Sequence, residues 1–260
     1  MSQLVETFNF NSAVLMTASV LVVAFVWTYL RASSKWKMID LVNEKHRVLL
    51  ITAHPDDECM FFGPTIQKLS KIDGVRLYLM CLSVGDYEGQ GQVRKTELYK
   101  SCEILGINEG NIVLCKNSQF LDDPNAYWET SILSDKIAEH VEQLDINIIL
   151  TFDNYGVSGH RNHVSIYMAI IHLMCHNMLP SYCRSYTLDS VNIVRKYVKC
   201  IDRLFSRTSD MKYILTAAEQ DCVNRAMQAH TSQYIWFRKL YMQFSRYKII
   251  NTYTAISAEC

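Results

Sequence analysis

Residues 47–58, "RVLLITAHPDDE", decide how this chain is read. "RVLLITA" is apolar and partly β-branched, the composition of a strand buried on both faces of a sheet. It ends at Ala53. His54, Pro55, Asp56, Asp57 and Glu58 follow without a break, and then the chain turns apolar again. Charge gathered where a buried strand stops has a natural place in open parallel sheets. There, function collects beyond the carboxyl ends of the strands.

Working outward, strand-like and helix-like pieces alternate. The pattern predicts a helix over 60–72, a strand in "VRLYLMCLSVG" and a helix in "QVRKTELYKSCEILGI". It then predicts a short strand in "NIVLC", a helix over 128–144, a strand in "INIILTF" and a helix in "HRNHVSIYMAIIHLMCH". Repeated βα units with apolar strands predict an α/β fold. The sheet is expected to be mostly parallel and Rossmann-like, with helices on both faces. After Pro180 the pattern weakens, and further strands are expected over 185–191 and 195–201, then one or two helices.

Chain length and a 49% hydrophobic composition suit one domain with a sizeable core. Lys plus Arg equals Asp plus Glu at 26 each, so net charge offers no argument for nucleic acid. None of the 9 cysteines forms a C-x-x-C pair, which disfavours a cysteine zinc site and reads as thiols in a reducing compartment.

"AVLMTASVLVVAFVWTYL", residues 13–30, carries no charge and predicts one N-terminal transmembrane helix. Arg31, Lys35 and Lys37 follow it, and only Glu6 is charged before it. The positive flank should stay cytosolic, which places the body of the protein on that side. A cleaved signal peptide would carry its positive charge before the apolar run. The expected division is residues 1–37 as anchor with flanks and 38–260 as a cytosolic catalytic domain.

"SGHRNH" begins after the strand "INIILTF", so it should reach the same sheet edge as "HPDDE". His160 and His163 are three apart and share a helix face. Two imidazoles, a carboxylate and an open position make a catalytic zinc site, and His54, Asp57 and His163 are the expected ligands. Iron(II) or cobalt would also fit that donor set. A bound ion would acidify a water and polarise a carbonyl. Asp56 is then free to act as general base, and His160 to stabilise an oxyanion or protonate a leaving amine. The reaction class is metal-assisted hydrolysis of an amide or ester. A lone H-x-x-H, or an Asp-Asp after a strand, would more often be a surface pair or a helix cap. Both at strand ends in one βα pattern argue for a site. His172 and His176 lack that context and read as structural, Cys59 as packing, and Glu58 as a group that orients a neighbour.

"AHPDDE" with "GHRNH" resembles the LmbE-like zinc-dependent deacetylases. "QGQVRKTELYKSCEILGI", "LTFDNYGVSGHRNHVSIY", "TLDSVNIVRKYV" and "SQYIWFRKLYMQFSRY" are similar to the eukaryotic branch of that family. The resemblance runs from about residue 47 to 247. It implies an endoplasmic-reticulum membrane enzyme that removes acetate from N-acetylglucosaminyl-phosphatidylinositol, a glycolipid, in the second step of glycosylphosphatidylinositol-anchor synthesis. It implies the same metal ligands, His54, Asp57 and His163, with Asp56 as base and His160 on the oxyanion side. It adds Arg94 and His230 as substrate-side residues. For Arg94 a surface pair with Glu97 is an equal alternative. Many bacterial relatives have Pro-Asp where this chain has Arg161-Asn162, which touches a hydrogen bond around the ligands but not the ligand set. Deacetylation of another N-acetyl sugar or amide, or a silent glycolipid-binding membrane protein, are the competing readings. The helix "YIWFRKLYMQFSRYKII" interleaves aromatic and basic residues. It is either a core helix with snorkelling cations or an interfacial helix in which Lys239 and Arg246 meet anionic lipid.

Overall fold

The computed structural model describes residues 16–24, 45–116, 119–197 and 209–257. Seven strands form one sheet: β1 His46–Thr52, β2 Val75–Cys81, β3 Ile112–Leu114, β4 Ile148–Phe152, β5 Arg184–Leu188, β6 Met211–Ile214 and β7 Ile250–Ala255. Their order across the sheet is β3-β2-β1-β4-β5-β7-β6. The first five run parallel, and β7 runs antiparallel to both β5 and β6. Leu49, Leu50 and Ile51 in β1 and Ile149 and Leu150 in β4 are buried, as a central parallel pair covered on both faces requires.

The chain builds β1 to β3 in one direction and then crosses to β4 on the other side of β1. β1 and β4 are therefore hydrogen-bonded neighbours whose following loops diverge. The crevice beyond their carboxyl ends is the topological switch point, where open sheets bind ligands. "HPDDE" leaves β1 and "SGHRNH" follows β4, so both motifs reach this crevice.

The helices are α1 Asp57–Met60, α2 Gly63–Leu69, α3 Gly91–Leu105, α4 Thr130–Gln143, α5 Arg161–Cys175, α6 Ile193–Tyr197, α7 Ala217–Ala229 and α8 Trp236–Phe244. α7 packs on α2 and α3, while α4 packs on α5. Right-handed crossovers put these two groups on opposite faces of the sheet.

Four sequence expectations need correction. The helix expected over 60–72 is two, broken at Phe61 and Phe62, because Pro64 fits only the first turn of α2. The strand expected from Arg195 is helix α6 as far as Tyr197, and residues 198–201 lie outside the described residues. Beyond residue 201 only one or two helices are expected; α7 and α8 are present, and β6 and β7 flank them as strands the sequence did not predict. Half of the expected transmembrane helix, residues 13–15 and 25–30, falls outside the described residues. Residues 16–24 are helical and exposed, and among the described residues no helix is long and apolar enough to cross a membrane. Described cysteines such as Cys59, Cys81 and Cys102 are buried free thiols, whereas Cys175 is disulfide-bonded, against the expectation of thiols throughout.

Candidate active site

The loop after β1 is held in a strained turn. Asp56 has φ 115°, a left-handed conformation costly for a residue with a Cβ. Its neighbours hold it there. The Asp56 N–H donates to Glu58 Oε2 at 3.0 Å, and Arg94 Nη2 donates to the Pro55 carbonyl at 2.8 Å. The reward is orientation: His54, Asp56 and Asp57 all line one cavity of about 610 Å³.

Asp57 Oδ2 accepts the N–H groups of Ala53 and His54, each at 2.9 Å. That leaves Oδ1 facing His163 Nε2 at 3.4 Å. Burial works against the charge of Asp57. The His163 ring, His54 and the backbone N–H overcome it, so the carboxyl stays ionised.

His163 donates from Nδ1 to the Gly156 carbonyl at 3.0 Å, which fixes the tautomer with the Nε2 lone pair free. Its ring stacks on Phe152 at 3.9 Å. His54 Nε2 lies 2.9 Å from Asn162 Oδ1 and 3.1 Å from Asp122 Oδ1, while its Nδ1 faces Asp57 Oδ2 at 3.9 Å. A proton on Nε2, shared with those oxygens, again leaves a lone pair toward Asp57. Burial holds the His54 pKa below the ordinary value, so the ring is neutral and a competent ligand.

His160 is the N-cap of α5, and its Nδ1 accepts the Asn162 N–H at 3.3 Å. Its ring centroid is 4.9 Å from that of His54 and 4.8 Å from that of His163. Burial, then the neighbouring imidazoles, lower its pKa to about 4. With Nδ1 accepting the Asn162 N–H, the neutral ring carries its proton on Nε2.

Asp56 has the opposite bias to Asp57. Burial raises its pKa, although Arg238 and Arg94 pull against it. Its Oδ2 lies 3.1 Å from Arg238 Nη2 and 3.8 Å from Arg94 Nη2, without hydrogen-bond geometry to either. Two adjacent carboxyls are thus tuned apart, one to stay charged and one to accept a proton.

Arg94 is buried and forms no pair with Glu97. It donates to the Gly85 carbonyl at 3.0 Å and to Asp122 Oδ2 at 2.9 Å. Glu97 instead gathers Thr231 and Ser232. His230 is fully buried and does not line the cavity, a correction to its expected contact with substrate. Its Nε2 binds Glu58 Oε1 at 2.7 Å, and Ser101 donates to the same oxygen. This pair supports Asp56 from beneath through Glu58, the orienting role expected of that acid.

Sequence reasoning missed Asp122, and it named Arg238 only in a helix tied to lipid. Asp122 lies in a loop of no regular pattern. The cavity-facing position of Arg238, 3.1 Å from Asp56 Oδ2, depends on how α8 packs, which sequence spacing does not show. Asn162, noted as a departure from bacterial relatives, supplies the hydrogen bond that turns His54. His172 and His176 form only a local pair, as expected.

Three groups of described side chains lie close enough to share an ion. In Glu58–Cys59–His230 the donors already bind each other, and the Cys59 thiol, pushed up by burial, stays protonated. In His54–Asp122–His160, Arg94 occupies one Asp122 oxygen and His160 Nδ1 is taken. Only His54–Asp57–His163 keeps unspent donors, above all the buried Nε2 of His163, which has no hydrogen-bond partner. The donor set fits a divalent ion.

The family described as PIG-L: GlcNAc-PI de-N-acetylase matches residues 49–174. The N-acetylglucosaminyl-phosphatidylinositol de-N-acetylase of Bos taurus is 42% identical over 91% of this chain and 95% of its own length. The chain belongs to the PIG-L family. A probable PIG-L enzyme of Dictyostelium discoideum is 35% identical over 80% of this chain and 92% of its own. Among solved structures, N,N'-diacetylchitobiose deacetylase from Pyrococcus horikoshii shares the fold, with a TM-score of 0.62 over 88% of this chain and 90% of that one, at 15% identity. PIG-L membership thus joins a deacetylase fold to the cavity just described.

Proposed function

We propose that this chain removes the acetyl group from the glucosamine of N-acetylglucosaminyl-phosphatidylinositol. It would release acetate and leave glucosaminyl-phosphatidylinositol, the second step of glycosylphosphatidylinositol-anchor synthesis. The observation that carries the chemistry is the buried Nε2 of His163, which has no hydrogen-bond partner and faces Asp57 Oδ1 at 3.4 Å, in a cavity that also holds a carboxyl of raised pKa. The curated relatives' shared name supports the substrate.

His54, Asp57 and His163 would hold the ion, which we take to be zinc with iron(II) as the other candidate. When bound, it would polarise the acetyl carbonyl and acidify a water molecule. Asp56 takes the proton from the attacking water, which its buried, proton-hungry carboxyl suits. His160 Nε2–H faces the same cavity and can donate to the developing oxyanion while neutral. Protonated Asp56 then delivers its proton to the departing nitrogen. The depressed pKa of His160 favours Asp56 for that step. Arg94 and Arg238 keep Asp56 from becoming too basic, and both reach the cavity, where a guanidinium can meet a phosphate or sugar hydroxyl.

We place the domain of residues 38–260 on the cytosolic face of the endoplasmic reticulum, tethered by residues 1–37. The uncharged run 13–30 and its positive flank support this. The test of substrate is a panel. Full-length protein should release acetate from N-acetylglucosaminyl-phosphatidylinositol in mixed micelles and release little from free N-acetylglucosamine or diacetylchitobiose. Preference for a free sugar would reject the glycolipid assignment.

A further inference from the structure

α8 presents its apolar stripe the wrong way round for a core helix. Trp236, Leu240 and Phe244 recur every four residues on one face, and all three are exposed, Trp236 to 72%. The opposite face turns inward, with Met242 buried and Arg238 and Tyr241 lining the catalytic cavity. α6 repeats this beside it. Ile193 and Val194 are exposed, at 72% and 54%, while Lys196 reaches the cavity and lies 5.3 Å above the Tyr241 ring. The two helices therefore border one mouth; Phe237 lines it, while Trp236, Leu240, Phe244, Ile193 and Val194 are exposed outside its lining. Contiguous exposed apolar surface of this kind marks an interaction site.

We propose that the outer faces of α6 and α8 insert into a phospholipid leaflet and seat the cavity mouth on the bilayer surface. The inference rests on the glycolipid assignment above. The acyl chains of such a substrate stay in the leaflet, since every CH₂ drawn out into water is unfavourable. A cavity that takes the head group must then open at the membrane plane. Trp236 at the stripe's start suits the headgroup boundary. Lys239 is exposed beside the stripe and available to anionic head groups. Arg246, which only the interfacial alternative put against lipid, is buried against Tyr247 and Thr252 and takes no part. Exposed apolar residues of the helical stretch 16–24, Val20 and Leu21 among them, agree with a chain held at a membrane.

The test has two arms, both on full-length protein in phosphatidylcholine–phosphatidylinositol vesicles. In a Trp27→Phe/Trp36→Phe background the remaining indoles are Trp128, buried in the core, and Trp236. Lipids brominated in the acyl chain should quench fluorescence, and a further Trp236→Phe change should remove that quenching. Quenching unaltered by Trp236→Phe, or none at all, overturns the proposal; the latter is expected if a second copy or a partner protein covers the stripe. In the second arm, Leu240→Ser/Phe244→Ser should lower turnover of vesicle-embedded substrate by about tenfold or more. It should leave turnover of a soluble N-acetylglucosaminyl-inositol phosphate without acyl chains unchanged. Equal loss on both substrates, or none on vesicles, overturns the docking role. Wild-type protein inactive on both rejects the proposed reaction, while the quenching arm still decides the docking.

Discussion

Gly156 is a residue at which a single methyl group should disturb the candidate metal site. Its φ is 62°, and a Cβ there would sit 2.8 Å from the Cβ of His163. Its carbonyl also fixes the His163 tautomer. Gly156→Ala should therefore cost about 1–3 kcal/mol of stability from the left-handed backbone alone. It should also weaken zinc binding, read by titration calorimetry, because His163 must shift. Full metal affinity in the variant would show that this contact does not set the ligand. The candidate residues His54, Asp56, Asp57, His160 and His163 could be picked out in the sequence because histidines and aspartates at strand ends stand out from an apolar run. Their supports were not. Asp122 and Ser190, which donates its hydroxyl to Asp153, lie in loops where no periodicity identifies a partner. The role expected of His230 failed for the same reason: sequence shows a histidine near the site but not that Glu58 faces it in the core.

At the scale of elements, α7 links the site to the rest of the domain and is held by its N-terminus. Thr216 and Glu219 form a capping box, and Lys68 of α2 binds the Glu219 carboxylate at 2.8 Å. Thr216→Ala should lower stability by about 1 kcal/mol, seen as a shift in denaturant midpoint at constant slope. Hydrogen bonds from Lys68 and Thr216, acting against burial, bring the Glu219 pKa from 4.5 to about 2. A pKa depressed on folding stabilises the native state above the unfolded value, so this contribution is complete above pH 4.5 and fades as pH falls toward about 2. Glu219→Gln should flatten the acid limb of the stability curve. An unaltered limb would mean that the carboxylate contributes nothing. The βα units were readable because buried parallel strands are continuous apolar runs. The start of the strand expected over 195–201, "RKYVKCI", falls in α6 because a run this short satisfies strand and helix patterns alike, and tertiary context decides.

For the whole molecule, β7 closes the sheet by lying between β5 and β6, and Asn251 and Tyr253 bond Thr65 of α2 in the core. Ending the chain after Lys248 should abolish cooperative unfolding, judged by circular dichroism and limited proteolysis. A stable truncated domain would show the C-terminal strands to be an appendage. The sequence revealed the parallel half of this architecture and not the antiparallel half, because "INTYTA" of β7 mixes polar and apolar residues and carries no sign of its partner strands. The central claim is that the complete protein uses His54, Asp57 and His163 to hold an ion and Asp56 to move the proton. Its most direct test measures bound zinc and acetate release together, on wild type, Asp56→Asn and His163→Ala, with N-acetylglucosaminyl-phosphatidylinositol as substrate. Wild type should bind zinc and release acetate. Asp56→Asn should keep its zinc and lose about 10²–10⁴-fold in rate, the range for a general base. His163→Ala should lose both. Near-wild-type turnover by Asp56→Asn, or full zinc binding by His163→Ala, would contradict the account.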